Sequence, residues 1–92
     1  MTHVDLSIIV CTYNRAELLQ RTLETVAAQQ VPGDIEWEVI VVDNNSTDAT
    51  PEVARRFADE CPNIRCVREE QQGLSHARNR GIDEAAGALV CF

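Results

Sequence analysis

The run WEVIVVD, residues 37–43, limits the possible folds of this chain more than any other stretch. Its four consecutive β-branched residues, 39–42, leave no polar side chain to face water on either side of a strand. A strand with this pattern is covered on both faces, as the central strands of parallel sheets are. We therefore predict a buried strand over residues 36–42, followed directly by the acid Asp43.

Apolar runs and amphipathic stretches alternate along the rest of the chain. Further strands are predicted over residues 6–11 and 64–68 and from residue 88 onward, and helices over residues 15–30, from about residue 50 to 61 and from about residue 75 to 86. Short connections between alternating strands and helices predict the order βαβαβαβ, with about four parallel strands, three helices on both faces and right-handed crossovers. The 92 residues are therefore expected to form one α/β domain around a parallel sheet.

Local signals set the expected ends and faces of the helices. Asn14 is the predicted N-cap of the first helix, and Thr50 that of the second, with Pro51 at its first position. Helix ends are predicted at Pro32-Gly33, Pro62-Asn63 and Gly87. The residues expected to face inward are Leu18, Leu19, Thr22, Leu23, Val26 and Ala27 in the first helix, and Ala77, Ile82, Ala85 and Ala86 in the third.

The charged composition excludes several classes of function. The formal net charge is −7, which argues against nucleic acid or an anionic membrane as a partner attracted by bulk charge. All eight basic residues are Arg, so lysine-dependent P-loop or Schiff-base chemistry is excluded. Any phosphate must be held locally.

The four cysteines predict a reducing compartment. They are Cys11, Cys61, Cys66 and Cys91, and none forms a C-x-x-C pair. We interpret them as buried, reduced thiols. Since there is also no signal-peptide pattern and no apolar stretch near 18 residues, we expect a cytoplasmic protein with no membrane span.

Three polar segments follow the ends of predicted strands: residues 12–15, 43–46 and 69–73. Ligands of open parallel sheets bind outside the carboxyl ends of the strands, where the strand order reverses. We therefore expect the three segments to meet at one cleft.

Three stretches in this order, LSIIVCTYNRAELLQRTLETVAAQ, WEVIVVDNNSTDAT and GLSHARNRGIDEAAGALVCF, resemble the nucleotide-binding half of a family 2, GT-A type glycosyltransferase. The resemblance covers essentially the whole chain. It implies a Rossmann-like, nucleotide-sugar-binding half within a metal-dependent, generally inverting transferase. Such an enzyme uses a nucleotide-diphospho-sugar, usually a UDP-sugar, and an acceptor that the sequence does not identify.

The resemblance also assigns residues to the nucleotide. It implies that Thr12 and Tyr13 lie against base and ribose, that Asn14 and Arg15 shape the same loop, and that Asp43 accepts a hydrogen bond from the N3–H of uracil. The remaining implied nucleotide-binding residues are Asn45, Gly73, Ala77 and Arg78, with Arg78 beside the base and its aspartate.

Each of these assignments has a purely structural alternative. Asp43 and Asn45 could form only an Asx-turn that leads into the second helix, with Asp48 near its positive end. Tyr13 could be a packing residue at a sheet edge, and Arg78 a helix-surface residue paired with Asp43. A calcium loop over residues 43–54 is rejected, because its sixth and twelfth positions are Asp48 and Ala54 where Gly and Glu are needed.

The family's metal motif is expected just after Phe92, so we expect no metal ligand and no catalytic residue within these 92 residues. In the complete enzyme Mn²⁺ or Mg²⁺ would neutralise the departing diphosphate, and the general base would also lie beyond the end of the chain. We therefore interpret residues 1–92 as a fragment, inactive alone, that lacks the metal motif and the acceptor half.

Two further expectations accompany this interpretation. The bare sheet edge of such a fragment predicts self-association. The alternative to a transferase is a non-enzymatic or receiver-like doubly wound module, although Thr12-Tyr13 stands where a receiver needs acids and G-x-G-x-x-G is absent. A domain that binds nothing is a third possibility.

Overall fold

The chain forms the predicted βαβαβαβ arrangement in a computed structural model, which describes residues 4–29 and 33–91. Its elements are β1 (Leu6–Thr12), α1 (Ala16–Ala27), β2 (Trp37–Asp43), α2 (Thr50–Glu60), β3 (Ile64–Arg68), α3 (Leu74–Glu84) and β4 (Ala88–Cys91). The four strands make one parallel sheet in the order β3-β2-β1-β4. The strand order therefore reverses at β1, with β2 on one side and β4 on the other.

The buried strand predicted from the VIVV run is confirmed as a central strand. Val39, Ile40, Val41 and Val42 are all fully buried. Because side chains alternate between faces, Val39 and Val41 join the core under α1 and α2, while Ile40 and Val42 pack with Ala77 of α3 on the other face. Covering both faces is what makes polar positions in this strand costly.

Gly81 allows α3 to lie close to the sheet. A Cβ atom at this position would come within 2.5 Å of Ile9 Cγ2, closer than side chains approach. The predicted inward face of α3 is partly wrong for the same reason: Ala77 and Gly81 are buried and Ala85 packs against the core, but Ile82 is half exposed and Ala86 is exposed.

Several other local predictions are wrong by small shifts. In α1, Leu19 and Leu23 are buried as predicted, but Leu18 and Ala27 are exposed. That helix ends at Ala27, five residues before Pro32, which lies outside the described residues. The third helix ends at Glu84 and not at Gly87. Gly87 instead passes close to β1, where a Cβ atom would lie 2.9 Å from the backbone nitrogen of Leu6.

A polar network ties the end of α3 to the amino-terminal half of the sheet. Glu38 accepts hydrogen bonds from Ser7 Oγ at 2.6 Å, from Ala86 N at 2.9 Å and from Arg65 Nε at 3.3 Å. Arg65 also donates to the carboxylate of Glu84, with Nη1 to Oε1 at 2.8 Å, and to its carbonyl oxygen. The network joins polar side chains near the amino-terminal ends of three strands: Ser7 of β1, Glu38 of β2 and Arg65 of β3.

The network lowers the pKa of both carboxyl groups. Partial burial alone would raise the pKa of Glu38, but the hydrogen bonds from Ser7, Ala86 and Arg65 outweigh burial and lower it. The hydrogen bond from Arg65 is the largest cause of the lowered pKa of Glu84. Both groups are therefore held in their charged form.

The cysteine prediction is partly wrong. Cys11, Cys61 and Cys66 are thiols that form no disulfide, but Cys66 is exposed and the other two are only partly buried. Cys66 lies on β3, an outer strand of the described sheet, which leaves one side of the residue uncovered. Desolvation is the main cause that raises the pKa of its thiol.

No helix within residues 4–29 and 33–91 is both long and apolar enough to span a membrane.

Candidate functional site

The carboxyl ends of β1 and β2 lie side by side. Thr12 and Asp43 are register partners in the parallel ladder. Each lies one residue beyond the predicted end of its strand. The ladder continues for one more step, because Asn44 N donates to Thr12 O at 2.8 Å. The backbone from which the two following segments begin is therefore fixed by hydrogen bonds between the strands.

The segment after β1 is joined to the segment after β2 through Asn14. Its backbone N donates to Ser46 Oγ at 2.9 Å, and its Oδ1 accepts from Thr47 N at 2.7 Å. Asn14 has a φ of 47°, a left-handed conformation that asparagine tolerates. Asn14 is therefore not the N-cap of α1 as predicted: Arg15 holds that position, with no side-chain cap.

Thr50 was also predicted as an N-cap, and this is wrong by one residue, since Ala49 is the N-cap of α2. The Thr50 hydroxyl instead accepts from Arg15 N at 3.1 Å, while Thr50 N donates to Asp48 Oδ1 at 2.9 Å. Hydrogen bonding, chiefly by Thr50, lowers the pKa of Asp48. Thr50 thus joins α2 to the start of α1.

The third segment, residues 69–73, is held by Asn44. The Asn44 side chain donates through Nδ2 to Glu69 O at 3.1 Å and to Gln71 O at 2.8 Å, and its Oδ1 accepts from Gly73 N at 2.9 Å. Asn44 is 6% exposed. The predicted convergence of the three segments is therefore confirmed, and Asn44 lies at its centre.

A cavity of about 330 Å³ opens where the segments meet. Four of the residues predicted to bind nucleotide line it: Thr12, Tyr13, Gly73 and Ala77; the others are Cys11, Asn44, Gln72 and Leu74. Gly73 has a φ of 135°, which strongly favours glycine, and it is the N-cap of α3. Tyr13 is 43% exposed, so its ring is not buried packing.

Asp43 lies at the end of a different groove, between β3 and α2, which is also lined by Arg55 and Arg68. Its carboxylate is nearly buried, with 3% of the side chain exposed. Oδ1 accepts from Ser46 N at 3.2 Å, and Oδ2 accepts from Arg68 Nη1 at 3.0 Å. The bond from Ser46 N agrees with the structural alternative in which Asp43 forms a turn leading into α2. The bond from Arg68 adds an ion pair.

The remaining predicted residues are spread around these two cavities. Arg15 lines a third pocket beside α1, with Thr12 and Tyr13. Asn45 has a φ of 65° and accepts from Arg68 Nη2 at 2.8 Å. Arg78 is exposed on α3. Because Arg68 is the arginine paired with Asp43, the alternative of a structural pair between Arg78 and Asp43 is wrong.

Sequence reasoning missed three residues that build the site: Asn44, Ser46 and Arg68. Asn44 and Ser46 lie within the polar segment 43–46 that was expected at the cleft, and that segment was the available signal for both residues. Arg68 required the register of β3 against β2, which places it opposite Asp43 and which one sequence does not give.

The described residues of the site form no metal centre. The described parts of the chain contain no group of three or more His, Cys, Asp or Glu residues placed to hold a metal ion. The lining of the 330 Å³ cavity contains no carboxylate and no imidazole. The described residues therefore do not fit the divalent ion that the resemblance implies, and a motif beyond Phe92 stays a prediction.

Comparison with known proteins identifies relatives for nearly the whole chain. It is 42% identical over 87 residues to glycosyltransferase AglE of Haloferax volcanii, a match that covers 94% of this chain and 28% of AglE. Among solved structures, the mannosyltransferase PcManGT of Pyrobaculum calidifontis, in complex with GDP-Man and Mn²⁺, matches at a TM-score of 0.78 and 36% identity. That match covers 92% of this chain and 25% of PcManGT.

S. aureus TarS 1-349, in complex with UDP-GlcNAc, matches at a TM-score of 0.77 and 31% identity, over 96% of this chain and 26% of TarS. The chain thus spans about a quarter of the length of these relatives. The model of the family "Glycosyl transferase family 2" matches residues 7–92. The receiver-like alternative is set aside by this match, and the chain belongs to glycosyl transferase family 2.

Proposed function

We propose that this chain is the nucleotide-binding part of an inverting glycosyltransferase whose donor is a nucleotide-diphospho-sugar, with UDP as the nucleotide. The observation that carries the proposal is the cavity formed by Thr12, Tyr13, Gly73 and Ala77 at the carboxyl ends of β1 and β2, in a chain that family 2 matches over residues 7–92. Open parallel sheets bind their ligands at this edge.

The proposed contacts follow from the chemistry of the exposed groups. The half-exposed ring of Tyr13 is free to stack on a pyrimidine, and Thr12 lies next to it at the cavity wall. Gly73 and Ala77 carry no bulky side chain, so the backbone there can lie close to the ligand. We assign Asn14, Arg15 and Asn45 to the shape of the surrounding loops, and Arg78 to the side of the base.

Asp43 is the proposed acceptor for an N–H of the base. A hydrogen bond to an ionised carboxylate contributes about 1.5–3 kcal/mol. Uracil has a donor at N3, whereas cytosine has none there and would be bound less tightly.

GDP is a second candidate nucleotide, and a specific observation favours it. The relative PcManGT was solved with GDP-Man, and it is 36% identical to this chain. Guanine has an N–H at N1 flanked by polar groups, so a carboxylate at Asp43 could accept from it as well. Both candidates predict the same discrimination against CDP.

The remaining parts of the proposal concern the complete protein. We propose that the divalent ion, the general base and the acceptor site are supplied outside the described residues, and the acceptor stays open. The proposed location is the cytoplasm, which is supported by the absence of a disulfide at Cys11, Cys61 and Cys66, since oxidising compartments favour disulfides.

Calorimetric titration of the 92-residue chain with UDP, GDP and CDP tests the proposal. We expect UDP to bind at least about tenfold more tightly than CDP, and Asp43→Asn to remove that preference, since tenfold corresponds to about 1.4 kcal/mol. Asp59→Asn, which makes the same charge change on the exposed surface of α2, should leave the preference intact. A folded chain that binds none of the three, or a variant that keeps the full preference, would overturn the proposal.

A further inference from the structure

One guanidinium group touches two of the residues assigned to nucleotide binding. Arg68 Nη1 lies 3.0 Å from Asp43 Oδ2, and Arg68 Nη2 lies 2.8 Å from Asn45 Oδ1. Nη2 also lies 3.5 Å from Ser46 O. Arg68 was not among the residues assigned to the nucleotide, yet it contacts three residues at the end of β2 and in the turn that follows it.

The sheet places Arg68 there. Asp43 and Arg68 are register partners at the ends of β2 and β3, so their Cα atoms are neighbours across the ladder. The backbone of Arg68 is held in turn, because Arg80 Nη1 on α3 donates to Arg68 O at 3.1 Å. The arginine therefore starts from a fixed backbone even though 44% of its side chain is exposed.

The contacts on Asp43 restrict how its carboxylate can turn. Each oxygen has one donor: Ser46 N on Oδ1 at 3.2 Å and Arg68 Nη1 on Oδ2 at 3.0 Å. A carboxylate has about four acceptor positions, and these two bonds occupy one on each oxygen. Removing Arg68 would free Oδ2 and the Asn45 side chain together.

We propose that Arg68 is a positioning residue that orients the Asp43 carboxylate and thereby sets the preference for bases with a ring N–H donor. This inference rests on the proposed function, in which Asp43 accepts from that N–H. The planar fork of arginine contacts Asp43 and Asn45 through two separate nitrogen atoms in a fixed geometry, which a lysine ammonium at the same position would reproduce only in part.

The test compares UDP with its N3-methyl analogue, in which a methyl group replaces the donor. Binding of both to the 92-residue chain is measured by calorimetry for the wild type, Arg68→Ala, Arg68→Lys and Arg56→Ala. Arg56 is an exposed arginine of α2 outside the lining of the Asp43 groove, so its removal makes the same change of charge away from the site. Urea unfolding of each variant reports whether it is folded.

We expect the wild type and Arg56→Ala to prefer UDP by about tenfold or more, Arg68→Ala to bind both compounds within about twofold of each other, and Arg68→Lys to recover part of the preference. A purely structural role would instead weaken both compounds equally and keep their ratio. Retention of the full ratio in folded Arg68→Ala would overturn the inference while leaving the proposed function intact.

The other outcomes are equally decisive. A wild type that binds both compounds equally would overturn the contact between Asp43 and the base, and the role of Arg68 with it. If Arg68→Ala does not fold, Arg68→Lys carries the test, since a full UDP preference without the arginine fork would contradict the inference.

Discussion

A single asparagine residue connects three loops of this site. The Asn44 side chain makes three hydrogen bonds to segment 69–73. It donates to Glu69 O and Gln71 O and accepts from Gly73 N. Its own backbone N binds Thr12 O. An asparagine is needed for this combination, because a neighbouring donor and acceptor on one planar group match two carbonyls and one N–H.

Asn44→Asp is therefore expected to lower the free energy of unfolding by about 1–3 kcal/mol at neutral pH. The aspartate keeps the size of the side chain and can still accept from Gly73 N, but it loses both donors and directs a charge at two carbonyl oxygens. Urea unfolding followed by circular dichroism measures the change.

Asn79→Asp is the matched control for this substitution. Asn79 is exposed on α3, so the same change of charge should alter stability by no more than about 0.5 kcal/mol. Equal stability of Asn44→Asp and Asn79→Asp would mean that segment 69–73 is held by other contacts.

At the level of single residues, the sequence predicted which residues lie at the cavity better than it predicted which residues they contact. Thr12, Tyr13, Gly73 and Ala77 do line one cavity, because they follow strands whose carboxyl ends meet. Asp43 was correctly placed at the end of a buried strand, but its partner Arg68 depends on a register between strands 25 residues apart. Contacts of that kind come from the packed fold, and local pattern does not encode them.

The elements were predicted in the correct order, and the errors lie at their ends and faces. β3 has the predicted bounds, whereas Leu18 and Ile82 were placed inward and are 58% and 50% exposed. An apolar residue at helical spacing faces the core only if the helix is rotated suitably, and the rotation of α3 is set by the close approach of Gly81 to Ile9. The sequence marks an amphipathic face only to within about one position.

The junction between α3 and β4 predicts a dependence of stability on pH. Glu38 and Glu84 have their pKa lowered from 4.5 in the folded chain, so the unfolded chain binds more protons as the pH falls. Their contribution to stability is therefore fully present above about pH 4.5 and is lost as the pH falls through the lowered folded pKa values. We expect the wild type to lose stability steeply in that range.

Glu38→Gln should weaken this dependence. The neutral side chain loses the charge-assisted bonds from Ser7, Ala86 and Arg65, which should cost about 1.5–3 kcal/mol at pH 7 and little at pH 3. Thermal or urea unfolding from pH 7 to pH 3 measures both quantities. Glu70→Gln, in an exposed loop, should follow the wild-type curve, and parallel curves for Glu38→Gln and the wild type would contradict the assignment.

At the scale of the whole molecule, the described chain is as compact as a folded domain. Its radius of gyration is 12.5 Å, and about 12 Å is expected for a domain of this length. Its two outer strands are β3 and β4 within the described sheet. Self-association through such an edge stays a prediction; light scattering at increasing concentration would detect it.

Binding and catalysis should separate in this chain. The cavity at the ends of β1 and β2 is lined by hydroxyl, amide, thiol, backbone and apolar groups and by no carboxylate, so it offers neither a general base nor an anionic ligand for a divalent ion. We therefore expect the 92-residue chain to bind UDP with the same affinity, within about twofold, in the presence and absence of Mn²⁺. With UDP-GlcNAc it should release no sugar above the rate without protein.

Calorimetry measures the binding, and an assay for free UDP measures the turnover. Binding strengthened more than tenfold by Mn²⁺ would locate metal ligands within these residues, and turnover would show that the reaction does not require the rest of the length found in the relatives.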